Sequence, residues 1–272
     1  MPWQTGSAVS SPLRPSRRPP PGPELLRRLR EAELDVLGRM PWASNGTYLV
    51  RLCDGGEGSG ALSGTGADDE QLGARAPLLQ GIYKPERGER PLWDFPAGLY
   101  KREAAAFELA DALGWHVVPP TLVREGPLGR GSVQLFVEAD FEQHYFTLQE
   151  ESAHRRDFQA ICVFDLLANN TDRKSGHCLL GRDGQIWAID NGLCFAAEFK
   201  LRTVIWDFGG EPIPAELLDD VDRLVRDGLP DPLAALLDAE EREALLERAT
   251  SVVTGRHFPH DRTGRRYPWP LV

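Results

Sequence analysis

The sequence predicts an α+β protein built in two parts, a strand-rich first lobe and a mainly helical second one. Short runs rich in β-branched and aromatic residues, TYLVRL, GIYKP and GSVQLFVEA, all fall before residue 140. Beyond it, apolar residues recur at helical spacing over long stretches. Between the parts, HCLLGR and QIWAID flank Asp183-Gly184, a dipeptide suited to the positive-φ positions of a tight turn, and read as a hairpin.

The elements follow in order. Residues 1–22 (MPWQTGSAVSSPLRPSRRPPPG) are rich in Pro, Ser and Arg and are expected to be a disordered arm. Pro23 opens ELLRRLREAELDVLG, where Leu25, Leu26, Leu29, Ala32 and Leu34 predict one helix stopped by Gly38. TYLVRL and GIYKP follow as strands, separated by a Gly-, Ser- and acid-rich run expected to be a flexible insertion at about 54–76. YKREAAAFELADAL predicts a helix closed by Gly114, with WHVVPPTLV and GSVQLFVEA as strands on either side of the turn-forming GPLGRG. A helix from about Glu151 to Ala168 shows its apolar side through Phe158, Ile161, Cys162 and Leu166. After the hairpin, IPAELLDDVDRLVRD and AEEREALLERATSVV are amphipathic helices, and a polar tail ends the chain. The expected division is a first lobe at 23–139 and a second at 140–272, with the hairpin segment 169–195 at their junction and a ligand cleft between them.

Composition removes several functional classes. A chain of 272 residues, 41% of them hydrophobic, can bury a sizeable core. A formal charge of -10 opposes non-specific attachment to nucleic acid or anionic membranes. Cys53, Cys162, Cys178 and Cys194 form no CxxC pair, as expected of free thiols in a reducing cytoplasm. No apolar run approaches the roughly 20 residues that span a bilayer, so no integral membrane association is expected. GxSxG, HExxH and Rossmann glycine patterns are absent, which leaves hydrolase and dehydrogenase readings without support.

A strand lysine, a helix glutamate and two aspartates on a hairpin are the parts that phosphoryl transfer needs, because its catalysis is mostly positioning and charge neutralisation. Lys84, in GIYKP, is one of only four lysines in a chain that otherwise uses arginine. Its compact ammonium suits a contact with ATP phosphates. Glu103, placed in the first turn of its helix, suits either the positive helix end or an ion pair with Lys84. Asp172 and Asp190 stand on either side of the hairpin, where plain turn caps would also place aspartates. Ser44, Asn45 and Gly46, in SNGTY, could cover phosphates through their backbone amides or simply form a turn.

Four segments, NNTDR (169–173), AIDNGLCF (188–195), the IYKP strand and the REAAAFELA helix, resemble the phosphatidylinositol 3- and 4-kinase-like superfamily. Within it the likeness is most marked to the type II phosphatidylinositol 4-kinases, and looser to HipA-like protein kinases. It covers roughly residues 37 to 200. The resemblance implies a two-lobed kinase fold and an ATP-dependent phosphotransferase using Mg²⁺ or Mn²⁺. It assigns Asp172 to the catalytic-loop aspartate, Asp190 to the metal-binding aspartate, Lys84 to the nucleotide lysine and Glu103 to its partner. Arg173 would neutralise phosphates or anchor the loop, while Asn169, Asn170 and Asp165 would be structural. The type II enzymes' cysteine-rich palmitoylated segment has no counterpart, so a protein or small-molecule hydroxyl is expected as acceptor before a phosphoinositide. A nucleotide-binding pseudokinase or interaction module, or an AMP transferase on the same fold, are the alternatives.

Three further features need a reading. Asp207-Phe208-Gly209 spells DFG but lies 35 residues beyond Asp172, against 18 for Asp190 at the hairpin's end, and reads as a structural turn. His257 and His260, in HFPH, have metal-like spacing, yet Pro259 disfavours a shared helix face, and a solvated tail is expected. His177, five residues after Asp172, stands where the resembled kinases carry a metal-binding asparagine. It would bind a metal such as Mn²⁺, contact phosphate as a cation, mark a lost site, or face solvent at the strand start.

Overall fold

The computed structural model describes residues 19–41, 43–53 and 79–272. The expected insertion at 54–76, and all but the end of the expected arm, lie outside the described residues.

Helix α1, Pro23–Glu31, begins at a proline whose fixed φ suits the first helical position. It buries Leu29, and its C-terminal carbonyls are satisfied from outside: Arg124 Nη1 donates to Leu29 O at 3.0 Å and to Ala32 O at 2.8 Å. The helix expected to run on to Gly38 ends here. Ala32 turns to ψ 146 and Glu33–Arg39 becomes strand β1, paired antiparallel with β2, Tyr48–Cys53. Helical spacing of Ala32 and Leu34 mimicked continuation, but pairing with β2 and burial of Leu34 decide the outcome, a tertiary override of a local pattern.

Three more strands, β3 (Leu79–Pro85), β4 (Thr121–Gly126) and β5 (Gly129–Leu135), complete an antiparallel sheet in the order β1-β2-β3-β5-β4. Pro119 and Pro120 delay the strand expected from Trp115, and the ladder runs through most of GPLGRG, leaving only a tight turn. Gly131 lets β5 approach closely, since a Cβ there would meet Lys84 O at 2.4 Å. Leu29, Leu34, Val50, Leu52, Tyr83 and Val133 form a small core against one face.

Helix α2, Leu99–Leu113, lies between this sheet and the second lobe, and it is buried nearly all round. Ala104, Ala105, Ala106 and Ala110 allow neighbours to approach it from several sides, and Gly114 closes it at φ 71. The larger core joins α2 to α4 (Arg155–Ala168), α5 (Ala215–Asp227) and α7 (Ala239–Gly255). A short helix, α3 (Tyr145–Leu148), precedes α4, which begins four residues later than expected, and α6 (Asp231–Ala234) separates α5 from α7. A buried ion pair between Arg102 and Glu241 ties α2 to α7, where Glu241 also closes a capping box with Asp238.

The expected hairpin is present. β7 (Cys178–Gly181) and β8 (Ile186–Ala188) pair in the register Cys178↔Ala188, Gly184 turns at φ 76, and a two-residue β6 (Ala139–Asp140) joins their edge. The C-terminal residues are not a solvated tail. Phe258 is buried against Phe208, Arg266 O accepts the Thr203 and Trp206 Nε1 protons, and Leu271 O accepts Ser175 N at 2.8 Å. Among the described residues all four cysteines are free thiols, and no helix is long and apolar enough to cross a membrane.

Candidate active site

Alternation along β3 turns Tyr83 into the small core and Lys84 to the opposite face, towards α2. There the Lys84 ammonium meets Glu103 and, at 2.7 Å, Asp190 Oδ1. Glu103 lies one turn into α2 rather than in its first turn, so the helix end does not explain it. Its second oxygen accepts Asn191 N at 3.1 Å, so three separate elements converge on one buried carboxylate. Burial alone would lower the pKa of Lys84, but the Asp190 and Glu103 carboxylates outweigh it and hold the ammonium above its ordinary value.

Asp190 follows β8 in the left-handed region at φ 57, a conformation that costs a non-glycine residue about 1 kcal/mol or more. The turn throws its carboxylate back into the cleft. Lys84 holds that half-exposed carboxylate well below the usual range. Asp172 stands across the same cleft, its backbone N–H on Asn170 Oδ1 at 2.9 Å and its carboxylate 3.2 Å from Lys174 Nζ. Partial burial raises the Asp172 carboxyl, with Lys174 opposing, and makes it a better proton acceptor than a free aspartate.

Arg173 corrects one expectation. Its side chain is completely buried: Nε and Nη2 donate to Asp165, Nη2 to Asn191 Oδ1 at 2.7 Å, and Nη1 to Ile189 O at 2.7 Å. No donor is left for a phosphate, so Arg173 is an anchor and not a catalytic group. Asp165 is its counter-ion and also accepts from Asn170 Nδ2 and Thr203 Oγ1. Asn169, at φ 52 where it ends α4, donates to Ala196 O and Glu198 O, which joins the loop to the segment after the hairpin.

His177 lies in a 3-10 turn, Ser175–His177, and not on the strand facing solvent. Nδ1 is 3.0 Å from Asp172 O, an acceptor only, so the proton is assigned to Nδ1; the longer approach of Lys174 N, 3.4 Å, is the weaker claim on that atom. Nε2 then carries a lone pair 3.5 Å from Asp190 Oδ2. Two Lewis bases facing each other, with the imidazole oriented by a backbone carbonyl, fit a divalent cation. Burial depresses the His177 pKa to about 4 although Asp190 opposes it, which favours the neutral ring over the cation in the ligand-free cleft. Among the described residues no cluster of three or more His, Cys, Asp or Glu is gathered to hold a metal, so phosphate and water oxygens would have to complete the shell.

Ser44, Asn45 and Gly46 line the cleft, but two of their polar groups are engaged elsewhere. Gly46 N donates to Gly88 O at 2.8 Å, and Asn45 Oδ1 accepts Arg90 N at 3.0 Å. The expected phosphate cover therefore lacks the Gly46 amide. Asp207 accepts the Tyr145 hydroxyl and is absent from the cleft lining. His257 and His260 do not share a site: His257 Nδ1 contacts Gly255 O, while His260 packs on Gly209 and Gly210. Lys174 and Asn191 were missed by sequence reading; their adjacency to Asp172 and Asp190 was the available signal. The cleft encloses about 290 Å³, near the lower end for ligand pockets.

A two-lobed α+β fold with a lysine, a glutamate and two aspartates converging on the interlobe cleft defines the kinase class. The family model described as phosphatidylinositol 3- and 4-kinase matches residues 121–234. Protein Rv2133c of Mycobacterium tuberculosis (strain ATCC 25618 / H37Rv) is 37% identical over 280 residues, 89% of this chain and 93% of that protein. Phosphatidylinositol 4-kinase gamma 4 of Oryza sativa subsp. japonica is 29% identical over 143 residues, 47% of this chain and 24% of that protein, so the chain spans about a quarter of its length. The crystal structure of the Golgi casein kinase with Mn/ADP bound shares the fold at TM-score 0.52 and 13% identity, covering 92% of this chain and 80% of that one. The chain belongs to the family of protein Rv2133c, and its central segment resembles the phosphatidylinositol 3- and 4-kinases. Fold and family make it a phosphotransferase by class.

Proposed function

We propose that the chain transfers the γ-phosphoryl group of ATP to a hydroxyl of a protein or small molecule in the cytoplasm. The observation that carries this reading is the convergence of Lys84, Glu103 and Asp190, opposite Asp172, on one cleft. Lys84, fixed by Glu103, contacts the nucleotide phosphates and shields their charge. Asp172 orients the acceptor hydroxyl and takes its proton as the acceptor oxygen bonds to the γ-phosphorus; the bond from that phosphorus to the β–γ bridging oxygen breaks, and ADP leaves. Asp190 and His177 would hold a divalent metal, which supplies charge neutralisation across the β- and γ-phosphate oxygens. An imidazole ligand where Mg²⁺ favours oxygen supports a preference for Mn²⁺. Arg173 keeps Asp172 and Asp190 in register through Asp165 and Asn191.

ATP labelled separately at the α- and γ-phosphates tests the reaction. Label from the γ-position should pass to an acceptor or to water, and Asp172→Asn, which keeps shape but removes the base, should abolish it while leaving nucleotide binding intact. Transfer of α-label to an acceptor would identify AMP transfer instead. An inert wild type that still binds nucleotide would make the chain a pseudokinase.

A further inference from the structure

A second cavity, an open groove of about 800 Å³, lies beside the cleft and is lined by Trp93, Lys200, Arg202, Arg265 and Arg266 among others. Backbone pairing shows how it meets the site. Arg173 and Thr203 form a parallel bridge, with Arg173 N on Arg202 O at 3.1 Å and Val204 N on Arg173 O at 3.1 Å. Both bridged side chains turn inward to the same carboxylate, Asp165. Successive residues of an extended segment face opposite ways, so Asp172 and Arg202, each one residue earlier, share the outward face. A third layer follows, because Arg266 O accepts Thr203 N at 3.1 Å and brings Arg265 and Arg266 alongside. The proposed base and a row of guanidinium groups thus lie on neighbouring segments.

The groove's charge is opposite to that of the chain. Four cations, Lys200, Arg202, Arg265 and Arg266, line it against two carboxylates, Asp94 and Glu198, whereas the whole chain carries -10. Lys200 is engaged by Glu198 and by Asp94 O, while among the described residues neither Arg202 nor Arg265 has a carboxylate partner. Trp93 is 96% exposed and Phe199 48%, the latter under the Arg266 guanidinium at 4.9 Å. Exposed tryptophan and arginine together are the residue types that dominate binding energy at protein contacts.

We infer that this groove receives an acidic segment of a protein acceptor, whose Ser or Thr hydroxyl is thereby presented to Asp172. The inference rests on the phosphotransfer reading for its chemistry and on the groove for its specificity. An open channel with spaced cations suits an extended chain better than a compact anion, which needs a closed cage. An anionic membrane would face the whole negatively charged protein, whereas a short acidic segment in the groove lies mostly within one screening length, about 8 Å, of its cations.

Three synthetic peptides test it, each with one serine flanked by Asp and Glu, by Ala and Gly, or by Lys and Arg, incubated with γ-labelled ATP. The acidic peptide should be labelled at least about tenfold faster than the neutral one, and the basic peptide least. Arg202→Gln and Arg265→Gln should each raise KM for the acidic peptide about two- to fivefold with a smaller change in kcat, and together about tenfold. Equal labelling of acidic and neutral peptides, or labelling of phosphatidylinositol vesicles in place of peptide, overturns the inference. Anisotropy of the fluorescein-labelled peptides reads the groove without turnover. Acidic-selective binding that both substitutions weaken supports it even if phosphotransfer is not detected, and unselective binding overturns it even if phosphotransfer is.

Discussion

Removing Asp165 strands a charge in the interior. The Arg173 guanidinium has no exposed surface, and its Nε and part of its Nη2 capacity are directed at Asp165 over 3.0 to 3.2 Å. Asp165→Leu leaves that cation without a counter-ion, which costs about 3–5 kcal/mol in buried pairs. At about 2–4 °C per kcal/mol for a chain of this size, the melting temperature should fall by about 6–20 °C. Arg173→Met should lose a comparable amount by stranding Asp165. In the double variant neither charge remains, so its loss should be smaller than the sum of the singles by about 2–3 kcal/mol, even though Thr203 Oγ1, Asn191 Oδ1 and Ile189 O have each lost a partner. Thermal melts of the four proteins measure this coupling, and strict additivity would refute a charge-paired interior. Turnover separates the structural contribution from the functional one. Because Arg173 also holds Ile189 and Asn191, on either side of Asp190, the double variant should regain stability without regaining ATP turnover. Wild-type turnover in the double variant would show that Asp190 is held by other means.

Other expectations concern the ligands. Saturating Mg-ATP at 100 times its Kd should add about 2.7 kcal/mol of stability, and Lys84→Met and Asp190→Ala should each blunt the resulting rise in melting temperature; a full shift in both would place the nucleotide elsewhere. His177→Asn should move the metal preference from Mn²⁺ towards Mg²⁺, read as ATP turnover with each metal in both proteins, and identical metal profiles would remove His177 from the metal shell.

Much of the fold was legible because local signals agreed with tertiary ones. Asp183-Gly184 between two apolar runs specifies a hairpin wherever it is placed, and Gly114 stops α2 as its φ of 71 requires. The nearness of Asp172 to Asp190 follows from the same hairpin, which returns the chain to where it left α4. What escaped was decided at a distance. Strand β1 exists because β2 lies beside it, and nothing within ELDVLGR outweighs a helical pattern that begins at Pro23. Arg173 next to a candidate catalytic aspartate has the same sequence appearance whether it faces a phosphate or Asp165; only burial distinguishes the two. Gly46 looked like a phosphate-covering glycine, yet its amide was claimed by Gly88, across a backbone contact so close that a Cβ on either glycine would lie 2.9 Å from the other's Cα. The C-terminal residues read as polar because their role is carried by carbonyls, which leave no mark in a side-chain pattern.

Those carbonyls bear on how the site comes into being. Ser175 N waits for Leu271 O, Thr203 N for Arg266 O, and Arg102 on α2 for Glu241 on α7. Each closure joins residues far apart in the chain, and such long loops form late and slowly compared with local helices and hairpins. During synthesis the hairpin and the Lys84 strand leave the ribosome well before residues 266–271, so a nascent chain can assemble its cleft only in part. Emergence of residues 266–271 would then act as a late step in forming the site. A chain not yet extended to residue 271 would be poorly placed to consume nucleotide, and full register would come only when residues 266–271 dock against the loop that carries Asp172.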